Sequence, residues 1–111
     1  MLRLHSAADF ERVRRDGRSH AHPLVVLIAH QNGRADTRCG FAASKGVGSA
    51  VARNRARRLL REAVRARIQD IAPGWDLILI ARAPLAKSRL SQAQEAVDNL
   101  LRRASVLKNN G

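Results

Sequence analysis

The stretch VARNRARRLLREAVRAR, residues 51–67, holds seven arginines and one acid, Glu62, with no glycine or proline to interrupt it. A guanidinium is a planar fork that pairs with a phosphate through two parallel hydrogen bonds and stacks on nucleobases, so arginines fixed on one rigid element suit a polyanion. At about 100° per residue, Asn54, Arg57, Arg58, Arg61 and Arg65 fall within roughly a 100° arc of a helix opposite its leucines, with Arg53 and Arg55 on the flanks. A helix charged only for solubility mixes signs, with Glu placed four residues before Lys or Arg. Glu62 is followed at that distance by Ala66, although Arg58 lies four before it. Arg57 with Arg61, and Arg61 with Arg65, are like-charged pairs at the same spacing, each costing about a few tenths of a kcal/mol. Repulsion kept on one face points to a ligand that relieves it, and phosphates supply most of the binding to a nucleic acid.

Other chemical signals are weaker. SKGVGS, residues 44–49, has the look of a phosphate-binding loop but lacks the Gly-Lys-Ser/Thr triplet of a nucleotide site; Lys45 and the amides opening the next helix still suit a phosphate. His5, His20, His22 and His30 lack the spacing of a zinc site, and no cysteine pair joins them, so they read as surface or edge residues. Asp9, Asp16, Asp36, Asp70 and Asp76 read as cap and turn residues, which leaves no carboxylate cluster for a metal nuclease. No catalytic or metal-ligating residue is assigned.

The whole chain agrees with a nucleic-acid partner. It has 111 residues, enough for one modest core, and 21 basic residues against 9 acids give a formal charge of +12. Its apolar runs, PLVVLIA at 23–29 and LILIA at 77–81, fall far short of the ~20 residues that cross a bilayer. MLRLHSAADF carries acid and polar residues where a secretory signal is apolar, and Cys39 stands alone, so a cytoplasmic protein with a small hydrophobe at 39 is expected. Residues 1–107 read as one domain and 108–111 as a frayed tail.

Positioning the arginines requires a scaffold. Ser6 and Asp9 have capping-box spacing, Phe10 and Val13 lie three apart, and Gly17 is suited to a left-handed end, which predicts a helix over about 6–16. HPLVVLIAH and TRCGFAAS flank QNGRAD, whose Asn-Gly pair predicts an antiparallel hairpin, with GRSHA as a short edge strand before it. Ser49 caps a helix with apolar residues at 56, 59, 60, 63, 64 and 68, running to about residue 70. APGW turns into DLILIAR, apolar on both faces like a central strand and ended by Pro84. Ser91 and Gln94 repeat the capping spacing before a last helix buried at 93, 96, 97, 100, 101 and 104. The sum is an α+β sandwich.

SKGVGSAVARNRARRLLREAVR, residues 44–65, closely resembles the signature segment of the bacterial ribonuclease P protein subunit, in which Arg-Asn-Arg follows a Gly-x-Ala-Val stretch; here these are Gly48-Ser49-Ala50-Val51 and Arg53-Asn54-Arg55. The resemblance covers nearly the whole chain: DFERVRRDGRS is similar to the family's first helix and turn, RCGFAASK to the strand before the motif and DLILIAR to the strand after it.

The elements read above make a small, mostly antiparallel four-stranded sheet with three helices in the order αβββαβα, and the resemblance implies a left-handed crossover around the long basic helix. It implies a protein that joins a catalytic RNA, which removes the 5′ leader of precursor tRNA with magnesium bound mainly by the RNA; the protein alone is not catalytic. Carried over by position, Arg53, Asn54, Arg55, Lys45 and Arg58 face the catalytic RNA, Arg65 belongs to the same basic face, and Phe10, Arg57 and Arg61 lie near a cleft for the leader. Arg14 and Ile28 hold cleft positions that are aromatic in many members, which shifts leader binding from stacking toward charge. Lys45 is followed by Gly46 where relatives often carry a basic pair. Beyond the catalytic RNA and precursor tRNA, no membrane or protein partner is implied. A ribosomal or other RNA-structural protein is the alternative, and a metal nuclease lacks its acids.

Overall fold

The computed structural model describes residues 2–4 and 6–108. His5 and the tail positions 109–111 lie outside the described residues, while Lys108 N donates to Asp70 O at 2.7 Å. The elements run β1 (Leu2–Arg3), α1 (Ala7–Asp16), β2 (Arg18–Ala21), β3 (Val25–Gln31), β4 (Arg38–Ala43), α2 (Ala50–Arg65), β5 (Trp75–Ala81) and α3 (Leu90–Arg103), with short 3-10 turns at Lys45–Val47, Ile68–Asp70 and Ala83–Lys87.

The sheet corrects the expected architecture. It has five strands in the order β1-β4-β5-β3-β2, not four, and it is mixed: β1 with β4 and β4 with β5 are parallel, while β3 pairs antiparallel with β5 and with β2. β3 and β4 do not form a hairpin. β5 inserts between them, because a strand apolar on both faces gains most at the centre, where two layers cover it. Leu77, Leu79 and Ala81 of β5 enter the larger core, with Val25, Leu27 and Ala29 of β3, Cys39, and the buried faces of α2 and α3. Ile78 points the other way, into a smaller core with Leu4, Val13 and Ile28 beneath α1. Two helices thus cover one face and α1 covers part of the other.

The helices follow their sequence signals with local corrections. Ser6 Oγ accepts from Asp9 N at 3.4 Å and Ser49 Oγ from Ala52 N at 3.1 Å, each capping its helix as expected. α2 ends at Arg65 and only a 3-10 turn reaches residue 70. The cap of α3 lies two residues earlier than expected: Arg89 N donates to Gln92 Oε1 at 2.8 Å. Gly17 ends α1 in an extended conformation, φ −82°, not a left-handed one. A Cβ at Gly17 would lie 2.6 Å from Val13 O and 2.8 Å from Ile28 Cγ2, so close approach of α1 to β3 requires this glycine.

Candidate nucleic-acid interface

α2 sorts its side chains as the periodicity requires. Ala56, Leu60, Ala63 and Val64 are buried against the sheet and α3. Asn54, Arg55, Arg58, Arg61 and Arg65 are exposed, as is Lys45 in the turn before the helix, while Arg53 and Arg57 are half-buried. Arg57 Nη2 donates to Asn54 Oδ1, and Arg55 Nη2 donates to Ser88 O at 3.3 Å. Arg53 Nε is buried with no partner among the described residues, a donor held out of water at one flank of the stripe.

The acids are engaged elsewhere. Arg12, Arg15, Arg34, Arg38 and Arg67 share Asp9, Asp16, Asp36, Asp70, Asp76 and Asp98 in ion pairs. Among the described residues, no arginine from 53 to 65 pairs with an acid, and Glu62 is exposed without an ion pair. Unneutralised charge is therefore concentrated on α2, where it attracts polyanions.

A groove adjoins this face at the β1–β4 edge of the sheet. β1 is two residues long, so β4 runs past it and leaves two adjoining depressions that share Arg3 and Phe41. One, about 310 Å³, lies between Phe10, Leu4 and Gly40; the other, about 250 Å³, reaches Arg61, Val64, Arg65 and Ile68. The ring of Phe10 lies over Gly40, where an added Cβ would overlap Cζ and sit 2.9 Å from Cε2. The depression beside α2 has a mainly apolar lining and the one at Phe10 a mainly polar one; Phe10 and Phe41 can stack bases, and Arg3, Arg61 and Arg65 can pair phosphates.

The sequence-derived positions divide on this frame. Phe10 lines one depression and Arg61 and Arg65 the other, with Arg3 and Phe41 between them. Arg57 sits beside Asn54 on the helix face, and Arg14 is exposed on α1 and does not line the groove. Ile28 is 8% exposed in the core beneath α1. Arg3 and Phe41 are groove residues that sequence reading missed; the signal for Phe41 was its rarity, one of three aromatic residues in the chain.

Asp76 and Cys39 are buried titratable groups; the first departs from its expected role and the second keeps it. Asp76 is no turn residue: it is fully buried in β5 and accepts from Arg38 Nε at 2.9 Å, Arg38 Nη2 at 2.7 Å and Asn32 Nδ2 at 2.9 Å, with Arg12 Nη2 at 3.4 Å. Burial alone raises its carboxyl, but these donors outweigh it and hold Asp76 below the usual carboxylate range. Burial pushes the Cys39 thiol up to about 12, so it stays protonated and is no nucleophile at neutral pH. Among the described residues no group of three or more His, Cys, Asp or Glu is placed to hold a metal ion, and no helix is long and apolar enough to cross a membrane.

Comparison with known proteins gives one answer. Residues 1–105 match the family model for Ribonuclease P. A curated relative from Roseiflexus castenholzii, "Ribonuclease P protein component", is 48% identical over 107 residues, covering 96% of this chain and 88% of that protein. Among solved structures, the RNase P protein of Staphylococcus aureus superposes with a TM-score of 0.86 at 31% identity, over 97% of this chain and 99% of that one. The RNase P protein from Thermotoga maritima superposes with a TM-score of 0.81 at 28% identity, over 93% and 97%.

Proposed function

The chain belongs to the ribonuclease P protein family, the protein component of that endoribonuclease, and from this premise we propose that the arginine face of α2 docks on the catalytic RNA while the groove from Phe10 to Arg65 holds the single-stranded 5′ leader of precursor tRNA. One observation supports the division: Arg61 and Arg65, which pair with no acid among the described residues, line a depression that adjoins the one holding Phe10 and Phe41. Lys45, Arg53, Asn54, Arg55 and Arg58 serve the catalytic RNA. Phe10 and Phe41 stack leader bases, and Arg3, Arg61 and Arg65 pair its phosphates. Arg14 is exposed on α1 and does not line the groove, and Ile28 supports α1 from beneath.

The chemistry follows from the charge. Cleavage belongs to the RNA partner, and magnesium is held mainly by that RNA; the protein's aspartates being engaged by arginines supports this assignment. The protein contributes by offsetting repulsion between two polyanions and by fixing the leader's path. A ribosomal protein, the alternative read from charge alone, has no support in the family comparison.

The test measures binding of precursor tRNA by the protein–catalytic RNA complex over a salt series. Arg61→Ala with Arg65→Ala should flatten the slope of log affinity against log salt by roughly 1.4, at about 0.7 per single-strand phosphate contact. Arg89→Ala with Arg102→Ala, exposed at the two ends of α3, is the control and should change it much less. Phe10→Ala should weaken leader-bearing precursor but not mature tRNA. Equal flattening by both pairs, or equal losses with and without a leader, would sink the proposal.

A further inference from the structure

The groove lies at the β1–β4 edge of the sheet; a second basic cavity lies at the opposite, β3–β2 edge. It has a volume of about 560 Å³, within the range of small-ligand sites. β2 pairs only with Val26–Ala29, so β3 runs on through His30 and Gln31 with no strand on that side, and this step in the edge opens the cavity. Trp75, half-buried with its ring against the larger core, forms one wall, and the end of α3 forms another.

The charged groups are set around that indole. Arg18 is exposed, and while its backbone pairs with Ala29, its side chain makes no hydrogen bond or ion pair to another described residue. Arg103 is tied to the sheet edge: Nη1 donates to Ala21 O at 2.8 Å and to Asn99 Oδ1 at 3.3 Å, which leaves the other donors of the fork for a ligand. His20, two residues after Arg18 in β2 and opposite Leu27, also lines the cavity. Asp16 also lines the cavity, but its carboxylate is held by Arg15 at 3.1 Å. Ser105, on the rim, adopts φ +58° as the left-handed residue that ends α3: its N–H donates to Arg102 O at 3.0 Å and that of Val106 to Leu101 O at 3.2 Å.

We propose that this cavity binds one nucleotide of single-stranded RNA, its base on Trp75 and its phosphate between Arg18 and Arg103. An aromatic face with flanking guanidiniums is the arrangement that binds single strands without sequence preference. The protein then grips RNA at both edges of its sheet, and this contact is independent of the arginine face and of the leader groove.

Trp75 is the only tryptophan of the chain, so its fluorescence reports this site alone. The full-length protein is titrated with hexauridylate. Quenching should saturate, and Arg18→Ala, which removes a charge-assisted contact to the phosphate, should weaken it about tenfold. Arg57→Ala with Arg61→Ala should leave the quenching affinity within about twofold. Arg18 holds nothing in place, so its variant stays folded; Arg103→Ala is read beside a melting curve, because it also loses a tie to β2. Assembly with catalytic RNA alone and with precursor tRNA alone identifies which RNA supplies the nucleotide, by which one blocks hexauridylate. Absent quenching, or quenching lost in the α2 variant and kept in Arg18→Ala, overturns the proposal.

Discussion

Arg38 grips the carboxylate of Asp76 with both arms, Nε to Oδ1 at 2.9 Å and Nη2 to Oδ2 at 2.7 Å, across 38 residues of sequence. The pair joins β4 to β5, Arg12 adds α1 at 3.4 Å, and Asn32 adds the β3–β4 loop at 2.9 Å. Removing one member of a buried charge pair strands the other, so Asp76→Asn should cost about 3–5 kcal/mol, read by urea denaturation at pH 7.

The same carboxylate sets an acid limit. Its folded pKa lies below the ordinary value of 3.8, so its contribution is complete above that value and is lost as pH falls through the lower, folded one. Stability should be level from neutrality to about pH 4 and drop below it; in Asp76→Asn that part of the acid slope should vanish. A slope unchanged by the substitution would mean other carboxylates carry it.

Two glycines should differ in what an added methyl does. At Gly17 the Cβ strikes the carbonyl of Val13, which cannot move without unwinding α1, whereas at Gly40 it strikes the movable ring of Phe10. Gly17→Ala should cost about 3 kcal/mol and Gly40→Ala about 1, the range for overpacking. Only the second should weaken leader binding beyond its effect on stability, because it displaces a groove residue.

Phe10 and Ile28, both assigned to the cleft by resemblance, should separate by assay. Phe10→Ala should cost about 1–3 kcal/mol of leader affinity. Ile28→Ala should instead lower stability by about 2–5 kcal/mol, with affinity unchanged where the protein remains folded.

Ser105→Gly should stabilise the protein by about 1 kcal/mol, since glycine adopts the left-handed conformation without the Cβ clash. Thermal unfolding of the single variant measures it.

The parts legible in the sequence were those set by local rules. The 3.6-residue period placed Leu60, Ala63 and Val64 inward and the arginines outward, and two serine caps fixed where α1 and α2 begin. The double-sided apolarity of residues 77–81 marked a central strand. What stayed hidden was long-range choice. The Asn32-Gly33 turn reverses the chain, but whether β3 then pairs with β4 or with β5 depends on competition with a strand some 40 residues later. β1 is too short to show any period. Asp76 looked like a turn residue because its partner, Arg38, is remote in sequence, and the groove escaped notice because Arg3, Phe41 and Arg61 meet only once β1 docks on β4.

The position of β5 also governs the order of events during synthesis. β3 and β4 leave the ribosome well before Trp75–Ala81; β2 and β1 can pair with their outer edges, yet the edge that each turns to β5 stays open until that segment emerges. A chain exposed only as far as residue 74 therefore holds two apolar strands, each with one open edge, beside the highly cationic segment of α2. Such edges are aggregation templates, and the positive charge of α2, which repels like chains, guards the interval. Arginines placed for RNA thus also protect the chain on its way to the sheet that will display them.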